Sequence, residues 1–242
     1  MGYEKSAHLY DLFDKKDNIE FFYQYASRAG EALDIGAGTG RIAIPLARRG
    51  IRLWCVEPSP AMRREFKKKL AGRKETIQLI AGNAATFTIA RSFPLAFLSG
   101  CFDHFLESRE RRAALANIGS HLAPGGTLVF DVFLGLMGNR PLSPAGEARL
   151  GSMLIRRMVR AKAVSATKQR MELVFEIYKC GNLSERIEET GMVRITDRQD
   201  IHRVLRETGF EVRQEWSDYN FTPYNEGDSL LIIEAVMSGN VV

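Results

Sequence analysis

Apolar residues along this chain fall into short runs separated by amphipathic stretches, and their spacing predicts a regular alternation of helices and strands up to residue 133. Tyr10 to Ala29 reads as helix, followed by the strand "EALDIG". A helix from about Thr39 to Arg49 stops at Gly50, and "IRLWCVE" reads as a second strand. "SPAMRREFKKKLAG" carries Ser59 at the N-cap, Pro60 in the first turn and Gly72 at its end, the punctuation of a helix. "TIQLIAG" and "FPLAFLSG" are strands three and four. "SRERRAALANIGSHL" is a helix with Ala114, Leu115, Ile118 and Leu122 on one stripe, and "TLVFDVF" is a fifth strand, apolar on both sides of its pleat except at Asp131. Strands with near-continuous apolar runs, separated by helices, indicate a parallel sheet covered on both faces.

After Leu134 the pattern changes. "RPLSPAGEARLG" is loop-like, and Ser152 to Arg160, Met171 to Tyr178 and Glu185 to Ile195 alternate apolar and polar residues as antiparallel strands do. A helix near Asp197 to Thr208 and two closing strands, "FEVRQEW" and "SLLIIEAVM", resume the core pattern. The expected architecture is α/β: a doubly wound, mostly parallel sheet of about seven strands with helices on both faces, and a small antiparallel cap after the fifth strand. The expected division is a helical segment over 1–30, a core over 31–135 and 195–242, and an inserted cap over 136–194.

Composition narrows the class. The chain has 242 residues, 45% hydrophobic and 26% charged, ordinary values for a folded globular protein. No apolar run reaches the roughly 20 residues a membrane helix needs, and the N-terminus lacks the apolar core of a signal peptide, so a cytoplasmic location without membrane contact is expected. Gly2 with Ser6 is a short match to an acylation signal and carries little weight. The three cysteines and four histidines show no ligand spacing, so no metal is expected. The net charge of +5 is concentrated in "RREFKKK" with Arg73 and Lys74, and in "RRMVRAK". Phe66 and Leu70 lie four apart and face inward, so the first run reads as a solvated helix face. Nucleic acid is disfavoured as a partner, and the chain is expected to be a monomer or homodimer.

The chemistry starts in "ALDIGAGTGR", Ala32 to Arg41. Glycines between a strand and a helix let the backbone approach a ligand, and the helix start offers unpaired N–H groups. A dinucleotide loop reads G-x-G-x-x-G and presents amides to pyrophosphate. Here the third glycine comes one position early and Asp34 stands just ahead, which suits a ligand with a cationic group nearby. Glu57, 17 residues after Gly40 at the end of the next strand, is placed to accept both hydroxyl protons of a ribose. A ribose with a cationic, non-phosphate tail describes S-adenosyl-L-methionine better than NAD.

"ALDIGAGTGRIAIPLARRG", "VEPSPAM", "AGNAATF" and "LAPGGTLVFDVF" follow one another in an order and spacing similar to the motifs of class I S-adenosylmethionine-dependent methyltransferases, over Glu31 to Phe133. The closing strands extend the likeness to about Met237, and "SAHLYDLFD" resembles the small-molecule branch, which includes amino-sugar N-methyltransferases. The resemblance implies that Asp34, Gly36, Ala37 and Gly38 line the methionine end of the donor, with Glu57 on the ribose and Pro58 and Met62 on the adenine. Asn83 stands where the family usually has an aspartate for the adenine amino group, and the Ala84 N–H serves the ring. Ser99 and Gly100 lie beside the sulfonium. Arg41 reaches the donor carboxylate or braces the N-terminal segment.

The implied activity is transfer of a methyl group to a nitrogen or oxygen of a small molecule, with S-adenosyl-L-homocysteine as product. Two alternatives stay open: methylation of RNA or protein, and a module that binds the donor without catalysis. A base, if one is needed, belongs in "SGCFDHFLE", with His104 the first candidate and Asp103 the second. Tyr10 and Tyr219 are candidate walls for the acceptor, and Arg194 a candidate partner for an acidic one.

Overall fold

The protein is described by a computed structural model over residues 3–14, 17–72, 76–135 and 138–238; Gly2, Arg73 and Lys74 lie outside them. The chain begins with a turn of 3-10 helix, Ala7–Leu9, and continues through α1 (Tyr10–Phe13), α2 (Ile19–Ala29), β1 (Glu31–Ile35), α3 (Ala43–Arg48), β2 (Arg52–Glu57), α4 (Pro60–Leu70), β3 (Ile77–Ala81), β4 (Phe93–Leu98), α5 (Ser108–Ser120) and β5 (Leu122–Phe133). It then runs through β6 (Arg140–Leu150), β7 (Met153–Ser165), β8 (Lys168–Lys179), β9 (Asn182–Arg194), α6 (Arg198–Glu207), β10 (Phe210–Trp216) and β11 (Leu230–Met237).

The seven-stranded sheet has the order β10-β11-β5-β4-β1-β2-β3. Strands β1 to β5 pair in parallel, and β11 is antiparallel to both β5 and β10. Each strand supplies both faces of a buried layer. Leu33, Val56, Leu98 and Phe130 pack toward α5 and α6 on one side, whereas Ala32, Cys55, Phe97 and Val129 pack toward α2 and α3 on the other. The order reverses between β1 and β4, and in an open α/β sheet that switch point leaves a crevice at the strand C-termini.

Two expected elements differ. Tyr10 to Ala29 is not one helix: α1 ends at Asp14, whose backbone is extended, and α2 starts only after Asn18. The side chains of Asp14 and Asn18 are spent instead on long-range hydrogen bonds to the core, which a continuous helix would aim elsewhere. "RPLSPAGEARLG" is not a loop but β6, so the added sheet has four strands in the order β6-β7-β8-β9. Pro141 and Pro144 are tolerated because β6 is an edge strand, and its register shifts between Arg140 and Ser143 and again between Pro144 and Glu147.

The segment from Tyr3 to Phe13 is held between this cap and the core. Leu9, Leu12 and Phe13 pack on the inner face of the cap sheet with Ile155, Leu173 and Phe175, while Ala7 packs on Ala61 and Met62 of α4. Polar contacts fix it at both sides: Glu189 of β9 accepts from the N–H groups of Lys5 and Ser6 at 2.6 and 2.9 Å, and Asp11 pairs with Lys69 of α4.

Arg111 ties the cap exit to the core. Its side chain is fully buried on α5, where Nε donates to the Phe105 carbonyl at 3.1 Å, Nη2 donates to Thr196, and the guanidinium stacks over Phe102 at 4.8 Å. Burial pulls its pKa down to about 10. Replacing it by Met leaves Thr196 and the Phe105 carbonyl without their donor, and urea unfolding of Arg111→Met is expected to show a loss of about 3 kcal/mol.

Candidate active site

The turn after β1 is shaped by three glycines in the left-handed region, Gly36, Gly38 and Gly40, with φ of 75, 57 and 77°. The helix expected from Thr39 therefore begins only at Ala43. Gly36 and Ala37 donate to the Val56 carbonyl at 2.8 and 3.2 Å, which holds the turn against β2. Two of the glycines are also required by their neighbours. A Cβ on Gly36 would come within 2.9 Å of the Cys101 sulfur, and one on Gly40 within 2.5 Å of the Phe66 ring.

Glu57 closes β2 and is buried. Its Oε2 accepts from Gly38 N at 2.8 Å and its Oε1 from Ser59 N at 2.7 Å, so the carboxylate is fixed by the backbone on both sides. Burial raises its pKa and these two hydrogen bonds oppose the rise. Each oxygen keeps a further lone pair, and the side chain lines a cleft shared with Ile35, Gly36, Gly38, Val56 and Pro58. Tyr3, Tyr10, Met62, Asn83 and Ala84 line it too, as do Ser99, Gly100, Cys101, His104 and Phe105. Asn83 already accepts from Ala85 N at 3.0 Å, so one lone pair of its amide oxygen is committed to the turn.

Asp34 stands apart in a small polar recess lined also by Tyr10, Ala37, Gly38, Thr39, Arg41 and Ser99. It is 3% exposed, and its carboxyl makes no hydrogen bond to the described residues. Burial, with Glu57 nearby, pushes its pKa up to about 8, and Arg41 opposes that rise. A buried carboxyl of this kind is suited to meet a cation.

The end of β4 is set by Asp131, the one charged residue in the β5 run. Its Oδ1 accepts from Gly100 N at 2.5 Å, and its Oδ2 accepts from Ser99 Oγ at 2.8 Å and from the Tyr219 hydroxyl at 2.7 Å. Asn18 donates to Ser99 Oγ at 2.9 Å and accepts from Arg41 at 2.8 Å. Arg41 also meets Asp14 at 3.2 Å, and Asp14 accepts from the Tyr10 hydroxyl at 2.8 Å. Of the two roles expected for Arg41, the structure shows the brace on the N-terminal segment.

Three expected site residues fall elsewhere. Tyr219 lines no part of the cleft: its ring packs against Phe21 and Phe22, and its hydroxyl is spent on Asp131. Arg194 is no acceptor anchor, because it bonds Asp200 at 2.9 Å, Ser108 at 3.1 Å and the Leu106 carbonyl at 3.3 Å. Asp103 accepts from Phe133 N at 3.3 Å and does not line the cleft, whereas His104 does. Cleft positions missed in the sequence include Ile35, Val56, Ser59 and Phe105. The first two are apolar strand ends that read as core, and only their place beside the glycine turn and Glu57 could have marked them.

The basic runs are matched in part by acids, as in Lys68 with Glu65, Arg156 with Glu147 and Arg160 with Glu172. Among the described residues no acid, His or Cys cluster suited to a metal is found, and no helix is long and apolar enough to cross a membrane.

Residues 32–126 match the family described as a methyltransferase domain. An uncharacterised methyltransferase of Geobacillus kaustophilus (strain HTA426) is 32% identical over 140 residues, covering 53% of this chain and 60% of that protein, so the chain spans less than two thirds of that relative's length. Among solved structures, an S-adenosylmethionine-dependent methyltransferase of Clostridium acetobutylicum superposes with a TM-score of 0.79 at 18% identity, over 98% of this chain and 99% of the other. CalS10 of Micromonospora echinaspora, an amino pentose methyltransferase with S-adenosylmethionine bound, gives 0.74 at 22% identity over 96% and 95%. The family match over the first strands and the fold over nearly the whole chain agree: this protein has the fold of the S-adenosylmethionine-dependent methyltransferases, and its segment from Ala32 to Gly126 is similar to the methyltransferase domain family.

Proposed function

We propose that this protein transfers a methyl group from S-adenosyl-L-methionine to a nitrogen or oxygen of a small molecule. The observation that carries the reading is the pair of buried acids flanking the glycine turn. Glu57 presents two backbone-fixed oxygens to the cleft, and Asp34 holds a carboxyl in the adjoining recess with no hydrogen bond from the described residues. These groups fit the two ends of the donor that carry polar hydrogens, the ribose diol and the amino group of the methionine.

Asp34, Gly36, Ala37 and Gly38 would hold the methionine end, Glu57 the ribose, Pro58, Met62, Asn83 and Ala84 the adenine, and Ser99 and Gly100 the sulfonium. When bound, the donor supplies an electrophilic methyl carbon, which bonds to an acceptor lone pair as the carbon–sulfur bond breaks, leaving S-adenosyl-L-homocysteine and, from a neutral N–H or O–H acceptor, one proton. His104 lines the cleft and would take that proton. Alignment carries the rest. Asp131 fixes Ser99 and Gly100, and Tyr3 and Tyr10 of the N-terminal segment add apolar rings to the lining. A small acceptor is supported by CalS10, which is similar in fold and is an amino pentose methyltransferase.

The direct test combines methyl-labelled donor, purified protein and a metabolite extract, followed by mass spectrometry. Label in a small molecule supports the reading. Label in RNA or protein, or donor binding with no transfer, overturns it in favour of one of the alternatives. In calorimetry Glu57→Ala is expected to weaken donor binding by about 100-fold, since two hydrogen bonds to a charged group are lost at about 1.5–3 kcal/mol each and part of that is recovered by water.

Asp34 makes binding depend on pH. In the free protein its carboxyl is protonated below about pH 8, and meeting an ammonium group requires the ionised form. Donor affinity is therefore expected to rise from pH 6 to pH 8 with release of a proton on binding, and Asp34→Asn should weaken binding and flatten the profile. The same group works against the fold. Its pKa is raised above the unfolded value of 3.8, so between there and about 8 the unfolded chain carries the charge more readily, and folding stability from this group falls as pH rises through that window. Asp34→Asn is thus expected to raise the melting temperature of the ligand-free protein at pH 8 more than at pH 5, as scanning calorimetry would show.

A further inference from the structure

A second cavity, of about 340 Å3, adjoins the cleft and lies between the N-terminal segment and the cap sheet. It shares Tyr3, Tyr10 and Gly100 with the cleft, and Phe13, Asp14, Arg157, Leu173 and Phe175 complete its lining. Its size sits at the low end of the roughly 300–1,000 Å3 of small-ligand sites. The walls are mostly rings: Tyr3 meets Tyr10 edge-on at 4.9 Å, and Phe13 meets Phe175 at 5.6 Å.

Two charged groups face this space, and they are not equivalent. Asp14 is already engaged by Arg41 at 3.2 Å and by the Tyr10 hydroxyl at 2.8 Å. Arg157 lies half-buried on the inner face of β7, in the alternate row with Ile155, Val159 and Ala161, directly across from Phe175 of β8. Its Nε and Nη2 donate to one carbonyl, that of Ala145, at 3.3 and 2.8 Å, and its guanidinium stacks over Phe13 at 4.9 Å. It makes no ion pair with the described residues. A guanidinium has five N–H donors, so Arg157 brings a positive charge and spare donors to a cavity whose carboxyl, Asp14, is shared with Arg41 and Tyr10. Tyr3 and Tyr10 add no opposing charge, since burial raises the pKa of both hydroxyls, that of Tyr3 to about 12.

We propose that this cavity is the acceptor site and that it takes a compact, ring-bearing anion, whose carboxylate or phosphate is held by Arg157 and whose nucleophilic nitrogen or oxygen lies at the Gly100 end. The proposal rests on the methyltransferase reading above and narrows it. The ring stacks among Tyr3, Phe13 and Phe175, and the anionic group and the methylated atom sit at opposite ends of the molecule. An amine-bearing cation without an anionic group is disfavoured, because the acid of the cavity, Asp14, is already engaged by Arg41 and the Tyr10 hydroxyl.

The test uses full-length protein saturated with S-adenosyl-L-homocysteine and titrated in a calorimeter with four matched probes: benzoate, phenyl phosphate, benzamide and benzylamine. At least one anion is expected to bind ten-fold or more tightly than benzamide, and whether it is benzoate or phenyl phosphate tells carboxylate from phosphate. Arg157→Met should abolish that preference with S-adenosyl-L-homocysteine affinity unchanged, and Arg157→Lys should restore part of it. Equal binding of anions and benzamide, tighter binding of benzylamine, no binding of any probe, or an anion preference that survives Arg157→Met overturns the proposal. Failure of the wild-type protein to bind S-adenosyl-L-homocysteine overturns the methyltransferase reading itself, a result separate from any of these.

Discussion

One carboxylate holds the two halves of the site in register. Asp131 receives three donors from two parts of the chain: a side chain and a backbone amide at the end of β4, and a phenol from the connection between β10 and β11. Through Ser99 the chain of contacts continues to Asn18, Arg41, Asp14 and Tyr10, so a charge in the middle of the sheet fixes how the N-terminal segment lies over the cleft. Every link has a donor facing an acceptor, which is what makes such a buried polar chain stabilising. Without it, the strand ends that shape the cleft would be attached to their cover by apolar packing alone, which sets distance but not direction.

The buried acids set a different constraint. Asp34 and Glu57 are both carried upward in pKa by burial, but only Glu57 is compensated by backbone amides. The turn between them therefore keeps a polar group whose environment does not suit it in the ligand-free state. Such conflicts are expected where a protein is built to receive something, because local stability has been exchanged for complementarity.

How much of this could be read from the chain depended on how local the signal was. The parallel sheet, the glycine turn, Glu57 and the edge of the fourth strand follow from short-range spacing, and the structure brings them together around one cleft. Tyr219 and Arg194 were misplaced because their partners, Asp131 and Ser108, lie 88 and 86 positions away, beyond any periodicity. The break in the first long helix was hidden for the same reason: Asn18 is drawn to Ser99 across 81 residues. Asp131 did leave a trace, as a lone charge in an apolar run. So did Arg157, which interrupts the inward row of β7 and shows when "RRMVRAK" is taken by alternate positions and not as a block of charge.

The prolines that gave β6 the look of a loop have a consequence for the cap as a whole. A four-stranded sheet has two edges, and an open edge offers unpaired amides to any strand that drifts against it. Pro141 and Pro144 remove two of those amides, and the paired register shifts bend the strand out of plane. A neighbouring molecule finds no straight ladder there to extend. The cap can thus carry a long strand at its β6 edge without offering a regular ladder there.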